Sequence, residues 1–548
     1  MATKRFALFT ATLAAIVPCV LGAQVTSDRL VRAASEPQNW LTYSGTYLSQ
    51  RYSELKDITP ANVKDLEMKW VFQAQSLNSF LATPLVVDGV MYLTQPPNDV
   101  VALDARSGRV FWIYHHDPKP GRVCCRGLIN RGVALLGDTV YMATVDSYLI
   151  AIDAKNGQAL WKTQVAEAQA GYAMTLAPLA IKDKVLVGTA GGEYGIRGFI
   201  AAYDAKTGKE VWKRHTIPGP GEKGHETWPN DDSWEHGGAS VWTTGSYDPE
   251  SNLTFWGIGN PGPDFNSAQR EGDNLYSDSV IAIDADTGEL KWHFQFTPND
   301  PYDYDSTQVP VLADVNWQGR PRKVMMFGNR NGFFYVLDRT NGAFLQGNAY
   351  ATVNWARGLD AKGRPIVTPQ PPGKPTFPGP LGATNWYSPS FSPRTGLFYI
   401  SSWENYGQVF AEGEKLAYKE GQNFTGGNLQ PVPGQPAMPG MQRGPINTWH
   451  EGAARGIVKA IDPNTATIKW SFQMHDVTTS GIMTTASDLL FVGGREGYFQ
   501  ALHAKTGTLL WKSILGGETS AAPISYAVDG KQYVAIAAGH SLFVFGLR

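Results

Sequence analysis

Five short stretches of this 548-residue chain carry side chains whose types and spacing suit chemistry. In GTAGGEYGIRG, Glu193 follows Gly191 and Gly192, so a carboxylate stands on a turn free enough to aim it at a ligand. In GIGNPGPDFN, Asn260 is held between Gly259 and Pro261, and its side-chain carbonyl is a hard oxygen donor. TPNDPYDYDST carries Asp303 and Asp305 around Tyr304; on a strand the two carboxylates would share a face. Hard cations take several such oxygens. Arg330 lies in the turn of FGNRNGFFYVLDR, and CCRGLINRG joins the neighbours Cys124 and Cys125 to Arg131. Together these groups offer a cation site, a carboxylate base and cations for developing negative charge. Singly, each has an ordinary reading as a surface turn residue or an ion-pair partner.

The elements that must position them come from a repeat. The phrase Ala-x-Asp-x-x-x-Gly-x-x-x-Trp occurs as ALDARSGRVFW from Ala102, AIDAKNGQALW from Ala151, AYDAKTGKEVW from Ala202 and AIDADTGELKW from Ala282. Looser copies are AIDPNTATIKW from Ala460 and ALHAKTGTLLW from Ala501. VLDRTNGAFL from Val336 is truncated, and FSPRTGLFYI from Phe391 keeps a turn and the strand after it. The apolar residues end a strand, Asp bonds the backbone of the turn, and Gly takes its positive φ. Trp then opens the next strand with a ring large enough to fill the gap between neighbouring sheets. Hairpins such as PLVVDGVMYLT and PLAIKDKVLVGT lie upstream of most copies. The unit is about four strands over some 40 to 80 residues, which predicts an all-β propeller of four-stranded antiparallel blades. Six clear and two degraded copies favour eight blades; the alternative is a pair of unrelated β-sandwiches. The stretches 213–240 and 357–384, rich in Gly, Pro and Trp, interrupt the repeat and are expected to wall one mouth of the propeller.

Composition agrees with many short strands: 12% aromatic residues, 17 Trp, 58 Gly and 35 Pro. A net charge of −2 excludes the basic footprint of a nucleic-acid binder. Lys4 and Arg5, the apolar run to Leu21 and the small pair Gly22-Ala23 read as a secretory signal over 1–23, leaving 24–548 as a single domain in the periplasm. A membrane anchor is the alternative, although the run is short for a span. Of three cysteines, Cys19 leaves with the signal. Cys124 and Cys125 then either pair with each other or remain as two small buried apolar residues.

Taken together, the repeat and these motifs resemble the quinoprotein alcohol dehydrogenases, the methanol and ethanol dehydrogenase family. The resemblance runs from NWLTYSGTYLSQRYSEL near Asn39 to PISYAVDGKQYVAI near the end, and the repeat resembles that family's tryptophan-docking motif. It implies pyrroloquinoline quinone (PQQ) and one metal ion near the propeller axis. Cys124 and Cys125 match the family's adjacent-cysteine disulfide against one face of the quinone, and Trp242 matches the ring over the other. Glu193 and Asn260 match metal ligands, Asp303 the catalytic base and a further metal ligand, and Arg330 the basic residue beside the quinone oxygens. Arg131, Thr175 and Asn385 match cofactor contacts. Asp305 resembles the second Asp of lanthanide-using members, where an extra carboxylate favours a trivalent ion over the alternative, Ca²⁺. Two positions depart from the pattern: Leu81 stands where the family often has Glu, and Ala190 where it often has Ser.

The resemblance implies oxidation of a small primary or secondary alcohol to an aldehyde or ketone. No Cys-x-x-Cys-His occurs in the sequence, so no c-type haem is attached to it, and a separate soluble cytochrome c is the expected electron acceptor. No nucleic acid and no membrane span are expected, and a homodimer is among the assemblies left open. Competing readings are a sugar or polyol dehydrogenase on the same fold and a non-catalytic propeller that binds proteins.

Overall fold

The computed structural model describes residues 24–548 except 77, 79, 122, 126–128, 412, 414 and 434–453. The expected signal segment, 1–23, lies outside the described residues. Eight sheets of four antiparallel strands form the blades, over 85–114, 133–164, 179–215, 246–295, 311–349, 390–473, 482–514 and 524–547, and the seventh gains a short parallel fifth strand, Tyr52–Ser53. The eighth borrows its outer strand, Leu66–Gln73, from near the start of the chain; Leu66 pairs with Leu547. A ring of blades has no free seam once its last sheet takes a strand from its beginning. Among the described residues no helix is long and apolar enough to cross a membrane.

The repeat phrase is the turn between the third and fourth strands of a blade. Asp104 Oδ1 accepts the Arg106 backbone N–H at 2.9 Å, and Asp153 Oδ1 accepts that of Lys155 at 2.8 Å. Four of the Trp bond the next blade's turn. Trp112 Nε1 donates to the Ala154 carbonyl at 3.1 Å, Trp161 to Ala205 at 3.2 Å, Trp212 to Ala285 at 3.2 Å and Trp470 to Ala504 at 3.0 Å. The ring lies flat on the turn glycine: a Cβ on Gly157 would stand 2.6 Å from Trp112, and one on Gly108 would stand 2.5 Å from Trp70. Trp70, on the borrowed strand, thus docks the eighth blade onto the first.

The count of eight blades holds, with one correction to its origin. FSPRTGLFYI forms the hairpin between the first two strands of blade six (Ser390–Ser392 and Leu397–Glu404), not a third-to-fourth-strand turn. Blade six already owns AIDPNTATIKW, whereas blade eight has no copy because its outer strand comes from elsewhere in the sequence.

A second device closes one end of the axis. The segment 25–51 bonds to every blade: Val25 to Gly137, Gln38 to Ala527, Trp40 to Val86, Tyr47 to Ala180 and Tyr247, Leu48 to Leu312, Gln50 to Phe391 and Arg51 to Thr484. Arg51 is fully buried, its guanidinium bonding the Tyr43 and Pro523 carbonyls at 2.8 Å each and facing the Trp40 and Tyr43 rings.

Gly157→Val tests the docking. The new side chain meets the Trp112 ring and a φ of +74°, whereas Gly89→Ala meets the same kind of φ (+83°) with nothing within 4 Å. The first is expected to lower stability by about 1–3 kcal/mol more than the second, read as thermal midpoints of the two variants. Equal midpoints would remove the docking contact as a source of stability.

Candidate active site

With four strands per blade, the turns between second and third strands emerge on the same face as the links between blades. Every candidate residue comes from those two kinds of connection. Glu193, Asn260 and Arg330 lie in second-to-third-strand turns of blades three, four and five. Cys124, Cys125 and Arg131 link blades one and two, Thr175 links two and three, Trp242 three and four, Asp303 and Asp305 four and five, and Asn385 five and six. All of these except Cys124 line one cavity of about 560 Å³, a volume suited to a small-molecule site. Cys124 is buried just behind, disulfide-bonded to Cys125, in a cluster that also packs Ala173, Ala190, Tyr194 and Trp242.

Asp303 and Asp305 do not lie on a strand, the condition under which they would share a face. They lie in an irregular link with Asp303 at φ +63°, and the chain's turns, rather than a pleat, bring both carboxylates to the cavity. Arg330 clamps the two. Its Nη1 donates to Asp305 Oδ2 at 2.6 Å, its Nη2 to Asp303 Oδ2 at 3.2 Å, and its Nε to the Pro380 carbonyl at 2.6 Å. Asp305 also accepts the Asn260 backbone N–H at 3.0 Å and Trp242 Nε1 at 3.2 Å. Burial works against Arg330's charge, but Asp303, Asp305 and Asp300 outweigh it and hold the guanidinium above its ordinary value.

Carboxylates outnumber cations on this side. Burial drives the Asp303 carboxyl well above the usual range; Arg330 pulls it back, while Asp305, Asp264 and Asp300 push it up again. Glu193, exposed toward the cavity, is raised by the protein around it and by Asp305. Behind it lies Asp264, which composition and motif had not singled out. It is buried beside Asn260, its carboxyl is raised by burial and by Glu193, and its Oδ1 has no hydrogen-bond partner. Asp300, also missed, is pushed to about 6 by burial. Surplus buried negative charge with an unpartnered oxygen is what a cation would offset. Among the described residues no three acidic, His or Cys side chains gather tightly enough to form a closed cage. The oxygens that fit a cation are those of Glu193, Asn260 and Asp305, with Asp264 in reserve.

Against the Trp242 ring the imbalance is the reverse. Arg131 is buried, with no acidic partner among the described residues, and burial lowers it to about 10. Its Nη1 donates to Thr175 Oγ1 at 2.8 Å and to the Trp242 carbonyl at 3.3 Å. Its guanidinium lies 4.8 Å from the Trp242 ring centroid and 4.7 Å from that of Trp386. Its Nε has no partner. A desolvated cation between two flat rings suits an aromatic anion such as PQQ. Asn385 Nδ2 donates to the Leu381 carbonyl at 3.0 Å and still borders the cavity. Ala190 lines the cavity as a bare methyl, its backbone paired with Ala173; Leu81 is half-buried and is not among the lining residues.

Sequence reasoning missed Trp386, Trp403, Thr479, Arg495 and Glu518, all on the cavity wall. Trp386 adjoins Asn385 and was within reach of the same motif; the others sit in blades six to eight, where no motif stood out. The stretches expected to wall the mouth do so in part: Ser240 and Leu381 line it, and Pro380 holds Arg330. A third insertion, after Glu404 in blade six, had not been anticipated; its Phe424 N–H bonds the Glu193 carbonyl at 2.7 Å.

The profile of the glucose/ethanol/alcohol dehydrogenase β-propeller domain that uses PQQ matches residues 40–353 and 349–534. The chain is 38% identical over 546 residues to a quinohaemoprotein alcohol dehydrogenase, ADH IIB, of Pseudomonas putida, covering 95% of this chain and 76% of that one. It is 36% identical over 537 residues to 1-butanol dehydrogenase (cytochrome c) of Thauera butanivorans, covering 91% and 74%. Among solved structures it is similar to a europium-containing methanol dehydrogenase, with a TM-score of 0.86, 32% identity and coverage of 95% of this chain and all of that one. Such coverage at such identity rules out the protein-binding scaffold and the pair of sandwiches. The chain belongs to the PQQ-dependent quinoprotein alcohol dehydrogenases and is an oxidoreductase of that type.

Proposed function

We propose that this protein oxidises a small primary or secondary alcohol in the periplasm, with PQQ and a lanthanide ion in the axial cavity, and passes the electrons to a separate cytochrome c. The observation that carries the reading is the presence in one cavity of a buried Arg131, without an acidic partner among the described residues, and of a carboxylate-rich wall. A flat polyanion and a hard cation would offset these two imbalances together. Acceptor and compartment follow the family and the reading of residues 1–23; the butanol dehydrogenase named above is a cytochrome c enzyme.

PQQ, when bound, supplies the hydride-accepting quinone, and the metal supplies a Lewis acid. Glu193, Asn260 and Asp305 would hold the metal. Arg131, Thr175 and Asn385 would hold the cofactor's polar rim, while the Cys124–Cys125 disulfide and Trp242 border the space for its faces and keep water out. Asp303 takes the proton from the alcohol hydroxyl, so it acts ionised, although its burial disfavours that state. Arg330, bonded to Asp303, supports the ionised form and offers N–H donors to negative charge growing beside it. Asp305 favours a trivalent ion because it adds a carboxylate to the set; the europium-containing relative supports that choice over Ca²⁺.

The central test is apo protein reconstituted with PQQ plus La³⁺ or Ca²⁺ and assayed by dye reduction on a panel of alcohols, sugars and polyols. Turnover of small alcohols with La³⁺ is expected; no reduction under any combination would sink the enzyme reading, and turnover of sugars alone would move the substrate class. Asp305→Ala is expected to lose La³⁺-dependent activity first, and full retention of it would reassign the metal. Arg330→Met should cut kcat about 100-fold or more, with Arg330→Lys recovering part of it. An unchanged kcat in the methionine variant would free Arg330 of a role in the reaction.

A further inference from the structure

Blades seven and eight contribute a wall of the cavity to which no role has yet been given. Arg495 lies in the second-to-third-strand turn of blade seven, at the place Arg330 holds in blade five. Gly493 faces Phe499 across one turn as Gly328 faces Phe334 across the other. The same place in blade two, between Ala143 and Leu149, is the buried Val145. The turn therefore does not itself demand an arginine.

Arg495 is 7% exposed and lines the cavity. Its Nε stands 3.8 Å from Glu518 Oε2, and Glu518 lines the cavity too. Glu518 is held in turn: its Oε1 accepts from Thr479 Oγ1 and Ser520 Oγ, both at 3.3 Å. Its carbonyl accepts the Gly539 N–H at 2.8 Å, and the Gly539 carbonyl accepts that of Phe80 at 3.2 Å. The pair is thus tied through Gly539 to the backbone of Phe80, next to Leu81, whose own side chain does not line the cavity.

The geometry points to Arg495, positioned by Glu518, as a cofactor-binding residue that takes a carboxylate of PQQ at the rim away from Arg330. The inference rests on the reading of the cavity as a PQQ site. Burying a guanidinium is costly, and an anionic ligand offsets that cost. Of the three ligands the cavity is read to hold, the metal is a cation, the alcohol is neutral and only the cofactor carries carboxylates. Arg330 is already clamped by Asp303 and Asp305, so a separate arginine is needed for a second carboxylate besides the one that suits Arg131. A guanidinium fork matches a carboxylate with two donors, which a lysine cannot reproduce.

The test is a titration of apo protein with PQQ in the presence of La³⁺ and without alcohol, followed by quenching of tryptophan fluorescence. Arg495→Met is expected to weaken binding about 10–100-fold, Arg495→Lys to recover part of the loss, and Glu518→Gln to weaken it only a few-fold. With PQQ saturating, KM for the alcohol should stay unchanged in all three. Equal PQQ affinity in wild type and Arg495→Met overturns the assignment, and so does normal affinity joined to a raised KM, which would make Arg495 a substrate contact. If the methionine variant does not fold, an undiminished affinity in Arg495→Lys overturns it equally. Wild type that fails to bind PQQ defeats the function proposed above, a result distinct from any difference between variants.

Discussion

Closure of the ring is the constraint on which the rest depends. The site draws residues from the turns and links of at least six blades, so its geometry exists only if the blades are locked around one axis. Three kinds of contact do this. Trp70, Trp112, Trp161, Trp212, Trp292 and Trp470 each lay the ring on the next blade's Gly, and Trp112, Trp161, Trp212 and Trp470 also give their N–H to its carbonyl. The strand Leu66–Gln73 completes the last sheet. The segment 25–51 then bonds to all eight blades. Turn-to-ring packing of this kind leaves little room for a blade to rotate, because interiors are close-packed and not continuously deformable.

The two faces of the propeller divide the labour. On one, the repeated Asp-to-Trp turns serve packing alone and are nearly interchangeable. On the other, the second-to-third-strand turns and the inter-blade links differ in length and residue type, and the chemistry gathers there. Function on loops held by a rigid scaffold is the common solution, since a loop can change without unpairing a sheet. Arg330 and Arg495 show it within one chain: they stand at the same place in two blades where a third blade keeps Val145.

Charge within the cavity is unevenly shared. Asp303, Asp305, Glu193 and Asp264 crowd together, with Arg330 clamping two of them and the buried Arg270 acting on Asp264, while Arg131 stands between two rings. Neither arrangement is comfortable for the protein alone, because buried charges need partners. Their pairing with a cation and a polyanion gives both walls a reason.

Local patterns in the chain determined the blade and its docking Trp, since strand alternation, turn glycines and ring placement act over a dozen residues; the repeat itself marks seven blades, and the eighth carries no copy. They also marked Glu193, Asn260, Asp303, Asp305, Arg330 and the Cys124–Arg131 stretch, because these interrupt the repeat; resemblance to a known family added Trp242, Thr175 and Asn385. The false copy at Phe391 shows the limit: a turn and a strand look alike whether they open a blade or close it, and only pairing tells them apart. Only the tertiary structure decided that Asp303 and Asp305 share a cavity without sharing a strand, that Asp264 and Asp300 stand behind them, and that Arg495 and Glu518 form part of the wall. Those relations join residues up to hundreds of positions apart through closure of the ring, and no local pattern carries information about which side chains a closed ring will bring face to face.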